Sequence, residues 1–167
     1  MISCIPYYHY KNQDTSKIVF ELAPYGCLLK AVGKAKRLPE SICRTFLSQL
    51  LSGVEYLHQN KIAHLDLKLE NVLVGKNYKL KICDFDASYQ ATDGFIMSRG
   101  SKFYRAPEVR DRSCVDPYKA DIYSLGVLLF VMCMGCYPFA EDAALDEELL
   151  ESLKTSLDSQ YWVTDCQ

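Results

Sequence analysis

Between Pro39 and Asn60, apolar residues recur at intervals of three and four: Ile42, Phe46, Leu47, Leu50, Val54 and Leu57. Cys43 and Leu51 lie beside them, and Arg44, Gln49 and Glu55 fill the other face. This spacing predicts an amphipathic helix. Pro39 suits its first turn, and Asn60 is placed as a left-handed stop. A second helix is predicted from about Tyr118 to Met134, nearly all apolar past Asp121. An element without a polar face reads as a helix buried on all sides. Its apolar stretch from Ile122 to Met134 is shorter than the ~18 to 20 residues that span a bilayer. The weaker signals are short. Met1 to His9 holds a strand, and Ile18 to Leu22 is a β-favouring run stopped by Pro24-Tyr25-Gly26. Cys27 to Val32 forms a short helix ended near Gly33. Val72-Leu73-Val74 and Leu80-Lys81-Ile82 flank Gly75-Lys76-Asn77-Tyr78, the pattern of a hairpin. Residues 86–117, rich in Ser, Gly, Arg and Asp, read as a long loop, and loops of this length are functional or disordered. A final helix of lower quality covers about Ala143 to Leu157.

Composition narrows the class. The 167 residues suit one domain, and 49% apolar against 24% charged residues is enough to build a core. The net charge of −2 carries no basic excess that would favour nucleic acid. Eight cysteines raise the question of a disulfide framework. Met1 to His9 lacks the basic and long apolar regions of a signal peptide, and most cysteines stand inside apolar patterns where a thiol acts as a small hydrophobe. They are therefore read as reduced, and the chain as intracellular and cytoplasmic, without a membrane segment. Cys133-Met134-Gly135-Cys136 is a C-x-x-C with neither a second pair at zinc spacing nor a strand–helix redox context.

The chemistry is concentrated in His64-Leu65-Asp66-Leu67-Lys68-Leu69-Glu70-Asn71, between the long helix and the hairpin. Asp66 is suited to accept a proton from a hydroxyl. Lys68 is suited to neutralise a transferred phosphoryl group, and Asn71 to ligate a hard divalent cation through its carbonyl oxygen. Asp84-Phe85 adds a second carboxylate after the hairpin. A base, a cation and two metal ligands are the parts that phosphoryl transfer needs, since that reaction is mostly positioning and charge stabilisation.

These residues resemble the eukaryotic protein kinases, serine/threonine branch. The family's catalytic loop, Asp-Phe-Gly and Ala-Pro-Glu motifs are similar to residues 64–71, to Asp84-Phe85-Asp86 and to Ala106-Pro107-Glu108, in that order. Asp121-Ile122-Tyr123-Ser124-Leu125-Gly126 looks like the start of the family's buried central helix, and Lys68 marks the serine/threonine branch. The implied fold is α+β and protein-kinase-like, mainly the helical large lobe (23–167, incomplete) with a small β-lobe remnant and hinge start (1–22). The resemblance implies ATP and Mg²⁺ as cofactors and a protein substrate bearing Ser or Thr. Asp66, Lys68 and Ser101 match catalytic positions, and Asn71 and Asp84 match the metal ligands. Phe20, Glu21 and Ala23 match the hinge around adenine, and Leu73 its apolar floor. His64 and Phe85 resemble stacked residues that link the two metal-binding loops. Glu70 lies where some family members recognise an upstream Arg.

Four departures accompany these matches. No glycines form G-x-G-x-x-G, and no V-A-I-K-like lysine is present. The chain starts where the family's fourth and fifth strands are expected and stops soon after the central helix. Leu65 stands where the family has an Arg that docks a phosphate, and Asp86 where it has a Gly. The expectation is a kinase catalytic fragment, inactive as these 167 residues alone. The alternative is a truncated lobe or pseudokinase that binds other proteins.

Overall fold

The computed structural model describes residues 6–11, 16–90, 100–110 and 116–138. The helix expected at 143–157 lies outside them, as do parts of the 86–117 loop. Strands β1 (Pro6–Lys11) and β2 (Ser16–Phe20) form an antiparallel hairpin. The hinge segment that follows runs back along the second hairpin, of β4 (Val72–Val74) and β5 (Leu80–Ile82). Tyr25 N donates to Val74 O at 3.2 Å and Val74 N to Gly26 O at 2.8 Å. Cys27 bridges Leu73, so the chain after β2 is tied to the hairpin that carries Leu73.

Helix α1 spans Leu28–Ala35, and α2 spans Glu40–Gln59. Two details differ from the sequence expectation. Gly33 does not end α1, which continues until Lys36 takes a φ of 63°. Asn60 caps α2 at φ −89°, and the left-handed residue is Lys61, at φ 59°. The core stripe of α2 is Cys43, Phe46, Leu50, Val54 and Leu57, whereas Ile42 and Leu51 lie on the exposed edge.

Helix α4 (Pro117–Met134) is nearly all apolar past Asp121, as its sequence predicts, but it is not buried on all sides: Ile122, Phe130 and Met134 lie on an exposed edge while Leu125, Leu128, Val131 and Met132 face the core. Asp116 Oδ1 caps it by accepting from Tyr118 N at 3.0 Å and Lys119 N at 3.3 Å, and Pro117 opens the first turn. Gly135 ends it at φ 76°, where a Cβ would sit 2.0 Å from Lys36 O. Only glycine fits there. The helix has 18 residues and is apolar enough by composition to cross a membrane. Here Leu125, Leu128, Val131 and Met132 pack with Leu50, Val54, Val72 and Ile82 in the main core. Each such side chain contributes about 1.5–3 kcal/mol by burial. His58 of α2 meets Asp121 of α4, so the C-terminal end of α2 lies beside the N-terminal end of α4. The two helices are antiparallel.

Short strands β3 (Ile62–Ala63) and β6 (Tyr89–Gln90) pair antiparallel and bracket the segment that carries the chemistry. Helix α3 (Pro107–Arg110) begins within Ala106-Pro107-Glu108 and buries Val109 against Ala63, Leu65 and Ala120.

Candidate active site

Loop 64–71 is held from below by one buried carboxylate. Asp121 is fully buried, and its Oδ2 accepts from His64 N at 2.8 Å while its Oδ1 accepts from Leu65 N at 2.8 Å. His58 Nε2 lies 2.9 Å from the same Oδ2. Burying a carboxylate is costly unless donors surround it, and three do so here. The clamp lets Leu65 adopt a φ of 63° and bury its side chain beside Ala63, Ala106 and Val109. The residue in the family's Arg position is thus an apolar core residue.

His64 is fully buried and fixes the loop's other side. Its Nδ1 accepts from Asp66 N at 3.2 Å, so the proton sits on Nε2, which donates to Cys83 O at 3.0 Å. Burial lowers its pKa from 6.5, keeping the ring neutral, as this pattern requires. Its ring lies 4.8 Å from that of Phe85. His64 thereby connects the loop at 66 to the segment at 83–85.

Asp66, Lys68, Asn71 and Ser101 converge. Asp66 Oδ2 is 2.9 Å from Lys68 Nζ and accepts from Asn71 Nδ2 at 3.0 Å. Asp66 Oδ1 accepts from Ser101 N at 2.7 Å, and Lys68 Nζ donates to Ser101 Oγ at 2.9 Å. Asn71 Nδ2 also donates to Asp66 O at 2.9 Å. Burial pushes the Asp66 pKa up, but hydrogen bonds from Lys68 and Ser101 and the Lys68 charge outweigh it, so the carboxyl sits below its ordinary range. Gly100 makes the Ser101 contact possible: at φ 85°, a Cβ there would lie 2.0 Å from Leu65 O. Ser124 Oγ of α4 donates to Tyr104 O at 2.8 Å and holds the same segment three residues on.

Asp84 has an exposed side chain on a left-handed residue, φ 65°. Asp86 N points to Asp84 Oδ1 at 3.4 Å, and Asp86 is not among the positive-φ residues. The side chain that replaces glycine at position 86 therefore meets no backbone strain. With its amide nitrogen committed to Asp66, Asn71 has its carbonyl oxygen left for a cation. Among the described residues no three His, Cys, Asp or Glu side chains cluster to hold a metal. One amide oxygen and one exposed carboxylate instead suit Mg²⁺, which keeps water and phosphate oxygens as its remaining ligands.

The expected hinge and floor residues lie apart from this network. Phe20 ends β2 half-exposed, Glu21 pairs with Lys81 at 2.6 Å, and Ala23 and Leu73 are half-buried on the two segments joined by the Cys27–Leu73 bridge. Asp121 and His58 were not singled out from sequence as holders of the loop. The available signal was an acidic residue at the head of an otherwise apolar helix.

Residues 2–164 match the protein kinase domain family, and the chain belongs to that family. It is 40% identical over 155 residues to serine/threonine-protein kinase SAPK2 of Oryza sativa, which covers 89% of this chain and 44% of the relative. It is 38% identical over 150 residues to serine/threonine-protein kinase kin-29 of Caenorhabditis elegans, covering 88% of this chain and 18% of the relative. It is also 37% identical over 134 residues to the human hormonally up-regulated neu tumor-associated kinase, covering 77% of this chain and 19% of the relative. The chain thus spans less than half the length of these relatives. The serine/threonine branch indicated by Lys68 agrees with these names.

Proposed function

We propose that this chain carries the metal-binding and hydroxyl-orienting half of a protein serine/threonine kinase site, which transfers the ATP γ-phosphate to a protein hydroxyl. The observation that carries the reading is the closed network of Asp66, Lys68, Asn71 and Ser101. A carboxyl held ionised orients a substrate hydroxyl and accepts its proton late, when that hydroxyl has become acidic in the transition state. Lys68 beside it offsets charge on the transferred group. Asn71 and Asp84 would hold Mg²⁺, which neutralises phosphate charge when bound. Phe20, Glu21, Ala23 and Leu73 would border the adenine. Glu70, with Oε2 buried without a hydrogen-bond partner and its pKa raised by burial, favours a substrate with a basic residue near the target.

The 167 residues alone do not turn over ATP in this reading, because they include no G-x-G-x-x-G loop or V-A-I-K-like lysine to hold the phosphates. Reduced thiols at the described cysteines fit a cytoplasmic protein. Mg-ATP thermal stabilisation and labelled phosphate transfer to a generic protein substrate test both parts. Transfer by these residues alone that Asp66→Asn abolishes would refute the inactivity. Absence of an Mg-ATP shift that depends on Asp84 would refute the nucleotide site.

A further inference from the structure

Residues 100–110 carry Lys102, Arg105 and Arg110 against Glu108, a net charge of +2 in a chain whose own net charge is −2. This stretch is fastened to the group proposed to orient the substrate hydroxyl. Ser101 N donates to Asp66 Oδ1 at 2.7 Å, and the next residue is Lys102. Lys102 opens the short turn Lys102–Tyr104, in which Tyr104 N donates to Ser101 O at 3.1 Å. Tyr104 is buried, and Ser124 Oγ holds its carbonyl. The backbone at Lys102 is therefore anchored on both sides.

The three cations play different parts. Arg105 Nη2 turns back to donate to Gly100 O inside the same segment, and Arg110 Nε donates to Arg105 O at 3.1 Å. Both guanidinium groups brace the backbone. Lys102 is exposed. Its Nζ lies 5.7 Å from the centroid of the Phe103 ring, and that ring packs on Tyr137 with centroids 5.2 Å apart. Lys102 makes no ion pair among the described residues, whereas the ammonium of Lys68 is committed to Asp66 and Ser101. An ammonium held over an aromatic face keeps its charge in one place and loses less rotamer freedom on binding.

We infer that Lys102 selects substrates with an acidic residue within two places of the target Ser or Thr, its ammonium pairing with that carboxylate. The inference rests on the kinase reading above, which puts the target hydroxyl at Asp66. The reach agrees with it. Residue 102 directly follows the residue bonded to Asp66, and consecutive Cα atoms are about 3.8 Å apart. An extended substrate advances about 3.3 Å per residue, so side chains one or two places from the target fall within the sweep of a lysine anchored at 102. The net positive charge of the surrounding stretch attracts the same carboxylate at longer range. Glu70 favours the opposite charge, so the two residues together describe a substrate with both an acid and a base near its hydroxyl.

The test follows peptide binding to the 167-residue chain by amide NMR titration, which requires no turnover. Three peptides share one sequence around a single Ser and carry Glu, Gln or Lys beside it. The Glu peptide should bind about 2- to 5-fold more tightly than the Gln peptide, the gain of an exposed ion pair, and should shift the amides of Ser101 and Lys102. The Lys peptide should bind most weakly, and salt at about 1 M should bring the three together. Lys102→Ala should bring the Glu-to-Gln preference to 1, and Lys102→Glu should invert it. No preference for Glu in the parent chain, or a preference that survives Lys102→Ala, would overturn the inference. If all three peptides shift the Asp66, Lys68 and Ser101 amides alike, Lys102 has no selecting role and the kinase reading stands. If none shifts them, both fail. The preference is read first on the unaltered chain, so the result does not depend on any variant folding.

Discussion

Removing the Asp121 carboxylate should loosen the catalytic loop from below. In Asp121→Ala the amides of His64 and Leu65 lose acceptors at 2.8 Å each, and His58 loses its partner at 2.9 Å. A hydrogen bond to a charged group contributes about 1.5–3 kcal/mol, so the two amide bonds together represent about 3–6 kcal/mol. Relief of the carboxylate's desolvation offsets part of this loss, leaving a net cost of about 2–4 kcal/mol. That is a large fraction of the 5–15 kcal/mol typical of a domain. Urea unfolding of the chain and of Asp121→Ala gives the difference directly, with an unchanged slope as the control for two-state behaviour. Hydrogen exchange at the His64 and Leu65 amides should accelerate by about 10- to 1000-fold relative to amides in the middle of α2. A destabilisation below about 1 kcal/mol, or unchanged exchange at both amides, would refute the view that α4 holds the loop through this side chain.

Gly100→Ala should cost at least about 1–2 kcal/mol from its left-handed backbone alone, and more because the new Cβ would meet Leu65 O at 2.0 Å; a thermal midpoint within one degree of the parent would contradict that packing. The neutral, buried His64 makes stability depend on pH. Its folded pKa lies below 6.5, so the unfolded chain binds the extra proton, and stability present above 6.5 is lost as pH falls below it, by up to about 1.4 kcal/mol per pH unit. His64→Gln should show a shallower fall between pH 6.5 and 5 in urea titrations, and identical slopes would remove His64 from this role. Under the proposed function, with a phosphate-holding small lobe supplied by fusion, Asp66→Asn should lower kcat by about 100- to 10,000-fold while leaving Mg-ATP affinity within a few-fold. A kcat reduced less than tenfold would argue against Asp66 as the group that orients the hydroxyl.

Local patterns were readable where local chemistry fixes the element. The i, i+3, i+4 stripe placed α2, because periodicity alone selects one helix face, and α4 followed from a nearly continuous apolar run past Asp121, while its caps at Asp116 and Gly135 emerged only in the structure. The 72–74 and 80–82 hairpin was equally clear, since its turn lies between its strands. The helix ends were less clear. Lys61 rather than Asn60 takes the left-handed conformation, and α1 runs past Gly33, because a glycine permits a stop without enforcing one. Asp66, Lys68, Asn71 and Asp84 stood out as a set through their order and spacing, and residues 2–164 match the protein kinase domain.

The sequence by itself determined the helix faces, the hairpin and the kinase motifs, since each is written in neighbours a few positions apart. Tertiary structure alone decided which distant groups meet. Asp121 reaches back 57 and 56 positions to the backbone of His64 and Leu65, and Ser101 reaches 35 positions to Asp66. No periodicity encodes such contacts. They follow from the antiparallel packing of α2 on α4, which is driven by non-directional burial of apolar faces and is felt only once the chain has closed.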